Sequence, residues 1–173
     1  MKAKFLFTTT LVLVSIISFA QTQYEVLPDP NHKDSKILKG IITKDLIKND
    51  TSFKWYAPSE KIYNKPDTAI VAALHRDSTI KFIVFGGTWC DDTRFILPKF
   101  FTLQLKAGIA DNRITFFGVD RQKQTIGNIA SAMNITNVPT IIAMKNGKEI
   151  GRVVEYGKTG KWDKELAEIV KPH

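Results

Sequence analysis

The chain has a single cysteine, Cys90, in 173 residues. No internal disulfide can form, and any thiol chemistry rests on one sulfur. Histidine is nearly as scarce. His32, His75 and His173 are scattered, so with Cys90 they make no zinc-type ligand spacing, and neither a metal nor another cofactor is expected. No internal repeat and no low-complexity segment occurs. The formal charge is +8 at pH 7, yet the lysines and arginines form no dense run and no basic patch interleaved with aromatics. Nucleic acid is therefore not an expected partner.

Long apolar runs are also lacking, apart from the one at the start. Lys2 and Lys4 precede an apolar span from Phe5 to Phe19, and Ser18-Phe19-Ala20 precedes Gln21. That is the pattern of a secretory signal peptide over residues 1–20. Three threonines interrupt the span, which is shorter than the roughly 20 residues of a membrane-crossing helix, so no stable membrane anchor is expected after cleavage. Without Lys2 and Lys4, 23 basic residues face 17 acidic ones, a charge of +6. The expected location is periplasmic or secreted. Exported proteins normally use cysteines in pairs. A lone thiol there is buried and inert, joined to another molecule, or kept for chemistry.

What surrounds that thiol is distinctive. The apolar run Phe82-Ile83-Val84-Phe85 leads into Gly86-Gly87-Thr88-Trp89-Cys90-Asp91-Asp92-Thr93-Arg94, and a long helical pattern leads out to a stop near Gly108. Cys90 thus sits where a strand gives way to a helix. First-turn amides lack partners inside the helix, so they are expected to favour a thiolate. Asp91 and Asp92 suit the helix start but raise the cost of a neighbouring thiolate, and Arg94 offsets part of that. The aspartates read as helix-capping residues, with proton transfer to or from the thiol, or selection of basic clients, as the alternative. Pro98 inside the helix removes one backbone donor and calls for a tertiary reason.

From Gln21 to about Asp34, polar residues with Pro28 and Pro30 read as an extended leader over the surface. Thr43 is placed to cap a short helix, and Phe53, Trp55, Tyr56 and Tyr63 read as packing residues. Asp67 caps a second helix that opens the compact domain, residues 67–173, with residues 21–66 as an N-terminal extension packed on it. Further strands are expected over Thr79 to Phe85, Ile114 to Val119, Ile141 to Met144 and Glu149 to Glu155, the last two joined by an Asn146-Gly147 hairpin. Helices are expected over Thr125 to Met133 and Thr159 to Val170. The order from Asp67 is α-β-α-β-α-β-β-α, whose crossover helices make the first two strands parallel.

Trp89-Cys90 at a strand-to-helix junction, Pro98 within that helix, Val138-Pro139-Thr140 before a strand and Lys145-Asn146-Gly147 in a hairpin resemble, together and in order, the thioredoxin superfamily. The resemblance covers roughly Asp67 to Val170. It implies an α/β thioredoxin fold, a central mixed sheet flanked by helices, here with an N-terminal extension. It also implies that Cys90 is the nucleophile, that Trp89 packs beside it, and that Val138-Pro139 is a loop with a cis proline facing the thiol. Residues around such a loop can pair with an extended client chain.

Two features depart from that family. The Cys-x-x-Cys site is Cys90-Asp91-Asp92-Thr93 here, with a hydroxyl in place of the second sulfur, and Val84 stands where many thioredoxins bury a carboxylate. Thr93 is expected either to donate its hydroxyl to the sulfur or merely to cap or pack. Without a second cysteine, a mixed disulfide on Cys90 must be resolved by an external thiol. Isomerisation, deglutathionylation or client capture suit such a site, and the partners are disulfide- or thiol-containing proteins or a small thiol. The contrasting expectation is a redox-inactive binding or chaperone-like module. Peroxidase chemistry fits less well, because peroxiredoxins carry their threonine three residues before the cysteine rather than after it.

Overall fold

A computed structural model of the protein describes residues 23–171; the expected signal peptide lies outside them. Six strands form one mixed sheet in the order β1-β2-β4-β3-β5-β6. They are β1 (Tyr24–Pro28), β2 (Lys36–Ile42), β3 (Lys81–Gly86), β4 (Ile114–Gly118), β5 (Thr140–Lys145) and β6 (Lys148–Val154). Only β3 and β4 run parallel, in register from Phe82 opposite Ile114 to Gly86 opposite Gly118. Among the described residues six α-helices accompany the sheet: α1 (Lys44–Lys48), α2 (Tyr56–Ile62), α3 (Thr68–His75), α4 (Asp91–Lys106), α5 (Ile129–Ala132) and α6 (Trp162–Ile169). This is a thioredoxin fold with helices on both faces of a mixed sheet.

The period of two along the central strands divides the core. Phe82, Val84, Phe116 and Ile141 face a larger cluster that includes Leu97, Phe100, Leu103 and Leu166. Phe85, Phe117 and Ile142 face a smaller one with Val119, Ala130 and Val138. Both faces are dry, which is why these strands read as almost unbroken apolar runs. Phe53 and Tyr56 are buried in the larger cluster, with Trp55 and Tyr63 packed against it. Thr43 accepts from the Leu46 amide and Asp67 from the Ala69 amide, each capping its helix as the sequence suggests.

Two elements differ from expectation. The segment read as a surface leader instead forms β1 and a following turn, and β2 then pairs with β1 on one side and with β4 on the other. Pro28 is tolerated because β1 is an edge strand, where a missing amide breaks no inner ladder. The helix expected from Thr125 shrinks to α5, because Gly127 turns left-handed at φ +58° and Thr125 bonds instead to the Gly118 carbonyl at 2.9 Å. Among the described residues no helix is long and apolar enough to cross a membrane.

Candidate functional site

Strand β3 carries the chain to Gly86, a turn follows in which the Cys90 amide donates to the Gly87 carbonyl at 2.9 Å, and α4 starts at once. Cys90 is the N-cap of α4 and is half-buried. Its sulfur makes no capping bond to the helix amides. It donates instead to the Val138 carbonyl at 3.1 Å. The Cys90 side chain thus leans across to the loop before β5 rather than onto the first-turn amides. The Val138–Pro139 peptide bond is cis. Val138 and Pro139 are both buried, so this loop meets the sulfur through its backbone.

Thr93 lies one helical turn after Cys90, with no exposure, on the inner face of α4. Its hydroxyl accepts from the Gly87 amide at 3.2 Å. That bond pins the turn between β3 and α4, whereas the sulfur's bond goes to Val138. Thr93 therefore supports the site from behind. Arg94 donates through Nε to the Thr88 carbonyl at 2.8 Å and reaches Asp91 at 3.3 Å. The Asp91 side chain is 93% exposed, so this pair is a weak surface contact. Asp92 is half-exposed and faces Tyr156. Burial first, then the Asp92 carboxylate, Cys90 and Asp91, push the Tyr156 phenol above its ordinary value.

Trp89 is half-buried beside Cys90. Its indole Nε1 donates to the Val119 carbonyl at 3.0 Å, and the Arg121 guanidinium sits 5.2 Å from its ring centre. The structure thus gathers Trp89, Cys90, Val138 and Pro139 at one place, puts Asp91, Asp92 and Arg94 along the rim, and sets Thr93 beneath. Sequence reasoning missed Tyr156 and Arg121. Arg121 had a usable signal: it follows β4 as Cys90 follows β3, and parallel neighbours deliver the residues after their carboxyl ends to the same edge. Among the described residues, no three histidine, cysteine, aspartate or glutamate side chains are grouped to hold a metal ion.

Chemically, the arrangement offers one half-buried thiol, a backbone carbonyl beside it, and no second thiol. The thioredoxin family model matches residues 65–170. The chain is 34% identical over 82 residues to thioredoxin H2-2 of Oryza sativa subsp. japonica, covering 46% of this chain and 57% of that one. It is 29% identical over 96 residues to the TPR repeat-containing thioredoxin TDX of Arabidopsis thaliana, covering 56% of this chain and 23% of the relative. The match therefore spans less than two-thirds of either relative. Thioredoxin O2 of Arabidopsis thaliana, solved in its oxidised state, aligns with 25% identity and a TM-score of 0.38 over 64% of this chain and 84% of that one.

Proposed function

Because the chain belongs to the thioredoxin family, we propose that it is an exported thiol-disulfide exchange protein acting through Cys90 alone. The observation that carries this reading is the half-buried Cys90 sulfur held 3.1 Å from the Val138 carbonyl at the start of α4. The Cys90 thiolate attacks one sulfur of a client disulfide. A Cys90–client disulfide forms, the client's own disulfide breaks, and its other sulfur leaves as a thiolate that takes up a proton. Deprotonation of Cys90 also ends its bond to Val138. That carbonyl is then free to accept a backbone amide from an extended client, which would align the client disulfide with the sulfur. An external thiol, or a second thiol of the same client, attacks the mixed disulfide and returns Cys90 as thiolate. The first route suits deglutathionylation or capture, the second isomerisation.

A redox-inactive binding or chaperone-like module is the second reading. Its support is that the second cysteine of the family's site is Thr93 here and that two aspartates, Asp91 and Asp92, follow the sulfur. One experiment separates the two. The folded protein is mixed with a small aromatic disulfide whose released thiolate is coloured. Exchange predicts one coloured thiolate per chain, none from Cys90→Ser, and recovery of free Cys90 when glutathione is added. A thiol that reacts only after unfolding in urea would sink the exchange reading and favour the second.

A further inference from the structure

The N-terminal hairpin lies outside the matched region, yet its contacts converge on the neighbours of Cys90. Asp29, in the turn between β1 and β2, has a side chain with no solvent exposure. A buried carboxylate is costly unless fully partnered. Arg121 donates to its Oδ1 from Nη2 at 2.6 Å and from Nε at 3.3 Å, the Asn31 amide adds a bond at 3.1 Å, and His32 Nδ1 lies 3.2 Å from Oδ2. Burial works to raise the Asp29 pKa, but Arg121, Asn31 and His32 outweigh it and hold the carboxyl below the usual range.

Two nitrogens of one guanidinium on one oxygen fix the plane of Arg121 as well as its position. The same guanidinium lies over the Trp89 ring, while the indole edge is held by Val119, two residues earlier on the same stretch. The hairpin has further ties. Lys39 pairs with Asp120 at 2.8 Å. Thr88, two residues before Cys90, donates to the Lys36 carbonyl at 2.8 Å and accepts from the Leu38 amide at 3.4 Å. These contacts end on the segment leading into the thiol or on the loop that grips its tryptophan.

We infer that the hairpin is a positioning element of the thiol site, in which Asp29, acting through Arg121, fixes the Trp89 indole and so sets access to the Cys90 sulfur. The inference shares Cys90 with the exchange reading and deepens it, but its test needs no disulfide chemistry. Asp29→Asn removes the charge that aims Arg121. Arg121→Lys keeps the charge but loses the planar fork. Asp50→Asn is the control: it breaks the 2.6 Å pair between Lys36 of β2 and Asp50, which does not touch Trp89.

Two quantities are read. One is acrylamide quenching of Trp89 emission, taken as the difference from Trp89→Phe in each background. The other is the rate at which Cys90 is alkylated by neutral iodoacetamide. Loss of an oriented cation over the ring is expected to raise both by about fivefold in Asp29→Asn and Arg121→Lys. Asp50→Asn should leave both within about twofold, because the Lys36–Asp50 pair bonds neither Trp89 nor Arg121. Should Asp29→Asn fail to fold, Arg121→Lys still carries the test. Unchanged quenching and alkylation in Arg121→Lys, or an equal rise in Asp50→Asn, would overturn the inference. Quenching that rises as expected while Cys90 exchanges with no disulfide would leave the inference standing and defeat the exchange reading alone.

Discussion

On one flank of Cys90, Trp89 is gripped at its edge by Val119 and on its face by Arg121, and a buried carboxylate aims that arginine. On the other flank stand Asp92, Phe95 and Tyr156, with Phe95 43% and Tyr156 37% exposed and their rings 5.8 Å apart. The first flank resolves its buried charges with specific partners. The second leaves apolar surface open to water. The difference suits the proposed exchange site, where the reacting atom is held still while its approach stays clear: a client reaching the Val138 carbonyl would pass over the exposed rings of Phe95 and Tyr156.

The most damaging way to break this contrast is to unlock the closed flank at its base. Strand β2 meets β4 with Gly40 opposite Gly118. A Cβ on Gly118 would run into the Leu38 carbonyl, a backbone atom that cannot move aside without breaking the pairing. Gly118→Ala is expected to cost about 3 kcal/mol or more in urea unfolding, in the range of overpacked sites. The surviving folded protein should show faster Cys90 alkylation. A stability within about 0.5 kcal/mol of the parent would mean that the hairpin is not clamped on the sheet.

The two flanks also differ in how far the sequence reveals them. The β3–α4 junction was legible because it is a local pattern with a local cause, whereas the Val138-Pro139 loop was legible only through the family resemblance. The caps at Thr43 and Asp67, whose partners lie within three residues, were legible as the junction was. The hairpin was not legible. Tyr24–Pro28 is a short edge strand with largely exposed side chains, and β2 is recruited by β4, a strand far along the chain. Nothing within residues 21–34 encodes that partner, so prolines and polar residues there read as a leader. Thr93 shows the same limit within the site. Its helical spacing from Cys90 is readable, but the rotamer that turns its hydroxyl to Gly87 is set by packing against the end of β3.

Charge handling gives a second, milder test, with the opposite sign. Lys99, on the buried side of α4, is 4% exposed, and among the described residues no carboxylate pairs with it. Its ammonium lies over the Phe95 ring, and burial draws its pKa down to about 8 from an ordinary 10.5. The unfolded chain therefore binds more protons between those two values. Stability must rise with pH across that window, and the full cost of the buried charge is present below it. Lys99→Met keeps the volume and removes the charge. It should stabilise the protein at pH 7 by about 1–2 kcal/mol, less than the bare pKa shift implies because the ring contact is lost too. The rise from pH 8 to 10.5 should flatten. An equally steep rise in the variant would show that another group causes it.

The smallest expected effect on stability falls on the open flank itself. Tyr156 is already over a third exposed, so Tyr156→Ala should change stability by about 0.5 kcal/mol at most. Its effect should appear only with large partners. Mixed-disulfide formation with a peptide disulfide, which on the proposed approach lies across Phe95 and Tyr156, is expected to slow about fivefold, the value of one aromatic contact. The small aromatic disulfide should react at the parental rate, since it needs only the sulfur. If both reactions slow together, Tyr156 acts on the thiol through Asp92 rather than on the client, and the open flank would be part of the chemistry instead of its approach.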